Sequence, residues 1–281
     1  MQKAWRLAQR IWRLLRSPFL PASLKRSAVR TQVLLSARRY GKTADGTFQA
    51  RILDFQVIAH SRPILAALFE QIFVNGAYFF VSKKAGPFIL DCGSNIGMSI
   101  VFFKALYPKA KIIGFEPEES TYALLEKNIA SNDFKEVQLH QVALGMEDAT
   151  ISFFVDPETP GSLAMSTIRS RSLNKEIVVR QRKLSTYIDR EVDLLKLDVE
   201  GAELAVLQDL VSTGTITRIN QMIVEYHHNI HKSQEAFSSF LGQLEKSGFG
   251  YQISTSYPNS ERALWDPIFQ DVLVYAYRKS P

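Results

Sequence analysis

Two carboxylates close short apolar runs in this chain: Asp91 at the end of FILDC and Glu116 at the end of KIIGFE. Between them the stretch ILDCGSNIGMSIVFF places Gly93, Asn95 and Gly97 ahead of a second apolar run. This pattern reads as a buried strand, a glycine turn and a helix. In open α/β sheets, ligands bind beyond the carboxyl ends of the strands at such a turn. Glycine lets backbone approach a ligand where a Cβ would stand in the way. The helix start offers unpaired N–H groups to anionic oxygen. A phosphate loop needs a lysine, as in G-x-x-x-x-G-K-[ST], and the dinucleotide fingerprint is G-x-G-x-x-G. Neither pattern is here, and Asp91 repels phosphate. A carboxylate beside exposed N–H groups suits a zwitterion, its ammonium on Asp91 and its carboxylate on the N–H groups. An amino acid joined to a nucleoside meets that description in S-adenosylmethionine. Glu116 lies 23 residues after Gly93, about where a strand-end acid accepts hydrogen bonds from ribose hydroxyls.

Apolar runs alternate with helical patterns around these residues. Strands are expected at 88–92, 111–116, 136–144, 192–200 and 219–228, with helices over about 96–106, 120–131, 202–212 and 233–247. ATISFFVD and NKEIVVRQRK add strands outside that rhythm, separated by the polar loop PETPGSLAMSTIRSRS. YQIST and DVLVYAYR have no helix-length pattern between them and are expected as an antiparallel hairpin at one sheet edge. Such alternation predicts a mostly parallel sheet with right-handed crossovers. Ahead of it, DGTFQARILDFQV alternates like a strand and PILAALFEQIF looks helical. Residues 46–87 are expected to cover the ligand crevice, with Tyr78 as a candidate contact, and 88–281 to form the core.

The charge is uneven. Residues 1–42 hold eleven Lys and Arg and no acid, so a chain of net +6 carries −5 over residues 43–281. The basic character belongs to an N-terminal arm, taken as 1–45, and this argues against a nucleic-acid groove across the domain. Within the arm, Trp5, Ala8, Ile11, Trp12 and Leu15 recur at helical spacing among Lys3, Arg6, Arg10, Arg13 and Arg16, and Pro18 and Pro21 end the pattern. A helix of this kind over 1–17 suits peripheral contact with an anionic membrane, or packing on the domain or a partner. Arginines interrupt the apolar stretch, against a secretory signal, while organellar targeting stays open. No apolar run is long enough to span a bilayer. Cys92 is the only cysteine, so no intramolecular disulfide can form, which fits a cytoplasmic setting. It reads as a packing residue.

The combination LDCGSNIG, GFEP, VALG and LLKLDVEGAE resembles the FkbM-type S-adenosylmethionine-dependent methyltransferases, over about residues 75–280. The run Lys196-Leu-Asp198-Val-Glu200-Gly201-Ala-Glu203 is its most specific part. The resemblance implies a Rossmann-like, seven-stranded class I methyltransferase fold, α/β, mostly parallel with an antiparallel edge strand. It also implies S-adenosylmethionine as cofactor, with Asp91, Gly93, Ser94, Asn95 and Gly97 around the methionine part. Glu116 would then sit at the ribose, and Val142, Ala143 and Leu144 near the adenine. Leu184 to Asp189, and an insert around Gly161 to Thr167, depart from the family pattern on the substrate side.

In that fold the fourth and fifth strands are neighbours. Lys196 and Asp198 share one face of the fourth, and Glu225 and His227 one face of the fifth. Asp198, Glu225 and His227 are therefore expected to converge beside the methyl position. His227 as a base oriented by a carboxylate is one reading; a divalent ion held by the three is another. Glu200 and Glu203 can be read simply as acids at a helix start, Lys196 as a neutraliser of buried carboxylates, and His228 and His231 as surface residues. The fourth strand ends in Asp198-Val-Glu-Gly rather than N/D-P-P-Y, which argues against methylation of exocyclic amino groups. The leading expectation is O-methylation of a small-molecule, sugar or lipid-linked glycan hydroxyl. The alternatives are an RNA methyltransferase tethered by the basic arm and a non-catalytic cofactor-binding scaffold.

Overall fold

The computed structural model describes residues 2–37, 46–156, 175–230, 236–255 and 270–279. The loop 157–172 with its Gly161 to Thr167 insert, His231 and the start of the helix expected at 233 lie outside these residues.

The centre is a seven-stranded sheet ordered β11-β12-β10-β9-β3-β4-β5. Its strands are β3 (Phe88–Cys92), β4 (Lys111–Phe115), β5 (Val137–His140), β9 (Leu194–Leu197), β10 (Gln221–His228), β11 (Phe249–Thr255) and β12 (Gln270–Arg278). Helices α4 (Met98–Leu106) and α5 (Glu119–Ser131) cover one face, and α6 (Glu203–Ser212) and α7 (Phe237–Lys246) the other. Strands buried on both faces read as continuous apolar runs. Ile89 accordingly packs into the first core and Leu90 into the second. This is the Rossmann-like, class I methyltransferase topology expected from the sequence. The antiparallel strand is β12, and it lies one place in from the edge. It pairs antiparallel with both β10 and β11, because a chain that has reached the outer position and returns through the inner one must reverse.

Two sequence-derived strands are subdivided. Residues 136–144 split into β5 and β6 (Ala143–Gly145), and β6 leaves the main sheet for a three-stranded one with β7 (Ala149–Val155) and β8 (Lys175–Lys183). The alternating stretch before residue 60 is a hairpin, β1 (Phe48–Ile52) and β2 (Phe55–Ala59), turning at Leu53 with φ 54°. Asn128 of α5, fully buried, fastens that hairpin to the glycine turn. Its amide donates to the carbonyls of Ile58 and Ile96, both at 2.8 Å, and its Oδ1 accepts from Ile58 N at 2.7 Å.

The cover continues with α3 (Arg62–Phe69), whose N-cap Ser61 accepts from Ile64 N, and runs into a π-helical turn at Glu70–Val74. At the N-terminus, α1 (Gln2–Arg16) and α2 (Ala22–Ser36) pack on this cover. Leu14, Leu20, Ala28 and Leu35 belong to the same core as Phe69 and Phe73.

Candidate active site

A cavity of about 600 Å³ opens at the carboxyl ends of β3, β4, β9 and β10. The strand order departs in both directions from the β3/β9 pair, so this is the switch point of the sheet. Its volume is that of a small-molecule site.

The glycine turn forms one wall through Gly93, Ser94 and Asn95. Gly93 has φ +80°, and a Cβ there would lie 1.8 Å from the carbonyl oxygen of Asp198. Gly97 has φ +88° and a Cβ would press on Leu125 of α5, at 2.8 Å. Gly97 does not line the cavity. Both glycines were read as making room for a ligand; Gly93 does line the cavity, and both also let neighbouring parts of the protein close on the turn. Close approach at Gly93 brings the end of β9, and so Asp198, against it.

Asp91 requires a correction. Its carboxylate is fully buried behind the turn and is not part of the cavity wall, so it is not placed to take a ligand ammonium directly. Oδ2 accepts from Ser99 Oγ at 2.6 Å, and Oδ1 lies 3.4 Å from Lys196 Nζ without a hydrogen-bond partner. The two residues face each other in register across β3 and β9. Lys196, itself buried, also donates to the carbonyls of Cys92 and Gly93 and stands 3.4 Å from Asp198 Oδ2. Its carboxylate neighbours, Asp198 and Asp91 foremost, outweigh burial and raise its pKa, so it stays cationic. One ammonium thus ties the turn, Asp91 and Asp198 together. The Cys92 thiol is pushed well up by burial and remains a packing group.

Glu116 does line the cavity. Oε2 accepts from Asn95 N and Oε1 from Glu118 N, both at 3.0 Å. Burial raises it to about 7. Each oxygen keeps acceptor capacity toward the cavity, as a ribose diol requires. Beside it, Phe115, Val142, Ala143, Leu144 and Phe153 form an apolar slot suited to a purine. Phe153 comes from β7, outside the main sheet, and nothing in its spacing announced it.

Asp198, Glu225 and His227 converge at the opposite end, as the strand pairing required. Tyr78 from the cover donates to Asp198 Oδ2 at 3.0 Å or to Glu225 Oε2 at 3.1 Å, and Gln71 Nε2 donates to the same Glu225 oxygen at 2.8 Å. Burial and the neighbouring Asp198 and Glu225 charges hold the Tyr78 pKa well up, so it remains a donor. Burial, then Asp198, raises Glu225 to about 7. His227 is buried with Nδ1 2.7 Å from Glu203 Oε1. A carboxylate only accepts, so Nδ1 donates to Glu203, and Nε2 is the nitrogen whose protonation decides between the neutral ring and the imidazolium. Nε2 then points among Glu200 at 3.2 Å and Asp198 and Asp271 at 3.8 Å.

Glu203 is the residue that sequence reasoning undervalued. At the start of α6 it looked like an acid favoured by the helix dipole. It is 2 % exposed, and it also accepts from the N–H groups of Val199 and Gly201. The signal available was its place in the LDVEGAE run. Glu200, at φ 57°, is likewise turned into the site rather than left as a helix-start acid. His228 is half-buried against Phe237.

These residues fit S-adenosylmethionine: an acid for the ribose, an apolar slot for the base, and further carboxylates on the cavity wall that would favour its positive charge. Among the described residues, two groups could hold a metal ion, Asp198–Glu200–His227 and Glu225–His227–Asp271, each with ligand atoms within 4.8 Å of one another.

The family model of the methyltransferase FkbM domain matches residues 91–252. "Methyltransferase 1" of Beauveria bassiana is 30% identical over 237 residues, covering 76% of this chain and 90% of its own. The "2-O-methyltransferase NoeI" of Sinorhizobium fredii is 27% identical, covering 51% of this chain and 65% of its own. The "31-O-demethyl-FK506 methyltransferase FkbM" of Streptomyces tacrolimicus is 25% identical, covering 65% and 80%.

Proposed function

The chain belongs to the FkbM family of S-adenosylmethionine-dependent methyltransferases, and from that premise we propose that its acceptor is a hydroxyl of a small molecule or a sugar. The observation that carries the proposal is His227, held by Glu203 so that its basic nitrogen faces the Asp198 end of the cavity. The relatives named for 2-O- and 31-O-methylation support an oxygen acceptor.

S-adenosylmethionine supplies a methyl group activated on a sulfonium. Gly93 to Asn95 and Glu116 would hold and orient it, and the cover would exclude water through Tyr78 and Gln71. As the acceptor oxygen bonds to the methyl carbon, the carbon–sulfur bond would break with its electron pair left on the thioether sulfur, and the acceptor's proton would pass to His227 Nε2. Glu203 stabilises the imidazolium that results. Asp198 Oδ2 already accepts from Tyr78 and faces the Lys196 ammonium. Its charge, with that of Glu225, stabilises positive charge at this end of the cavity.

The test is methyl transfer to a panel of hydroxyl acceptors, read as formation of an ether. His227→Ala should lower kcat by about 10²- to 10⁴-fold while cofactor affinity changes less than about threefold, the size of half a hydrogen bond. An unchanged kcat would remove His227 from the mechanism. A second reading follows from the metal-competent clusters, in which a divalent ion lowers the hydroxyl pKa. Activity lost to a chelator and restored by magnesium or manganese would favour it over the base.

A further inference from the structure

Helix α1 has two apolar faces, and the fold uses one of them. Leu7, Ile11 and Leu14 turn inward, and Leu14 is fully buried. Arg10 grips Glu70 with two contacts, Nε to Oε1 at 2.9 Å and Nη2 to Oε2, and Arg13 donates to Asn75 Oδ1 at 3.3 Å. Glu70 and Asn75 also line the cavity, so α1 is fastened to the cavity's own cover.

The other face consists of Trp5, Ala8, Trp12 and Leu15, which recur at i, i+3, i+7 and i+10 and so form one stripe. Trp5 is 64% exposed, Trp12 57% and Leu15 53%. Single exposed apolar residues are ordinary, whereas a stripe on a docked helix marks a contact surface. Lys3, Arg6, Arg13 and Arg16 are exposed around it, with the Arg16 guanidinium 5.2 Å from the Trp12 ring centroid. Residues 2–37 hold eight Lys and Arg and no acid, against a net −5 over residues 43–281. An anionic surface is therefore drawn to this side of the molecule and repelled by the rest.

We propose that α1 docks the protein peripherally on an anionic lipid surface, with Trp5, Trp12 and Leu15 at headgroup depth and the flanking cations on lipid phosphates. Indole suits that depth, with an apolar ring and a hydrogen-bonding N–H. At 15 residues α1 is too short to span the hydrocarbon core. Among the described residues, no helix is long and apolar enough to cross a membrane. A single-stranded nucleic acid would need stacking aromatics in a basic groove. Here the indoles sit on a convex helix and share their stripe with Ala8 and Leu15, which suit acyl chains. Docking would set the cavity cover beside the headgroups, whatever the acceptor is.

The test is co-sedimentation of the full chain with phosphatidylglycerol–phosphatidylcholine vesicles, with pure phosphatidylcholine vesicles and single-stranded RNA as parallel probes. Expected is binding to the anionic vesicles at least about tenfold tighter than to neutral ones, weakening with salt. Tryptophan emission should shift to shorter wavelength. Trp5→Ser/Trp12→Ser/Leu15→Ser and Arg6→Glu/Arg16→Glu should each weaken binding about tenfold or more. Both variants should keep wild-type affinity for S-adenosylhomocysteine, which shows the domain folded. No vesicle binding by the wild type, undiminished binding by the triple variant, or tighter binding to RNA than to vesicles would overturn the proposal.

Discussion

Gly93→Ala probes how the site is put together. The Cβ would lie 1.8 Å from the Asp198 carbonyl oxygen, and real Cβ atoms essentially never approach within 3.0 Å. The end of β9 and the glycine turn must therefore separate by about 1.2 Å or more. The atom in the way is backbone, fixed by Asp198 N bonding to Cys92 O at 3.1 Å, so no side chain can swing aside. Holding alanine at positive φ costs about 1–2 kcal/mol on its own. Gly214→Ala is the matched control, with φ +71° and nothing within 4 Å of the added Cβ. The control should lose only the backbone cost, about 2–6 °C in Tm for a chain of this size. Gly93→Ala should lose clearly more. It should also displace Asp198 relative to Asn95, and a shift near 1 Å costs about 100-fold in kcat. Thermal unfolding, titration with S-adenosylhomocysteine and initial rates would be compared for both variants. A Gly93→Ala protein with the control's Tm and wild-type turnover would refute the packing argument.

Other consequences follow from single contacts. Glu203→Ala frees the His227 ring to reorient, so kcat should fall about 10–100-fold with cofactor affinity little changed; an equal loss in both would mean a structural role instead. Burial holds Glu116 at about 7 against an ordinary 4.5. Between those values the folded state keeps a proton that the unfolded chain has released, so this group makes stability fall as pH rises from about 4.5 to 7, and the loss is complete above. Glu116→Gln should therefore gain on the wild type by about 3 kcal/mol, roughly 6 °C, between pH 4.5 and 8 in paired melting curves; a constant difference would contradict the assignment. Asn128→Ala strips three hydrogen bonds from a buried amide and should cost about 3 kcal/mol, read from denaturant unfolding; a loss under about 0.5 kcal/mol would mean water replaces the amide.

Much of the site was legible because strands alternate strictly. Lys196 with Asp198, and Glu225 with His227, had to share faces once two strands were recognised as neighbours, and they meet in the cavity. Glu116 was legible from its strand end. Asp91 was misplaced because a strand-terminal carboxylate can point into the crevice or fold back under the turn. Lys196, 105 residues later, decides between the two. The purpose of Gly93 was hidden for the same reason, since the atom its Cβ would strike belongs to Asp198. Glu203 looked like a helix-start acid because spacing does not show that a histidine on another strand ends 2.7 Å away. The break between β5 and β6 was invisible because no glycine or proline separates them, and only their partners differ.

The most direct test of the account is calorimetric titration of S-adenosylmethionine and S-adenosylhomocysteine into the wild type and Glu116→Ala. The cavity as described predicts micromolar binding by the wild type, and a loss of about tenfold or more in a folded Glu116→Ala protein, the worth of hydrogen bonds to a charged acceptor. Wild-type affinity in that variant would place the nucleoside elsewhere. No binding by a folded wild type would contradict the reading of this cavity as the cofactor site.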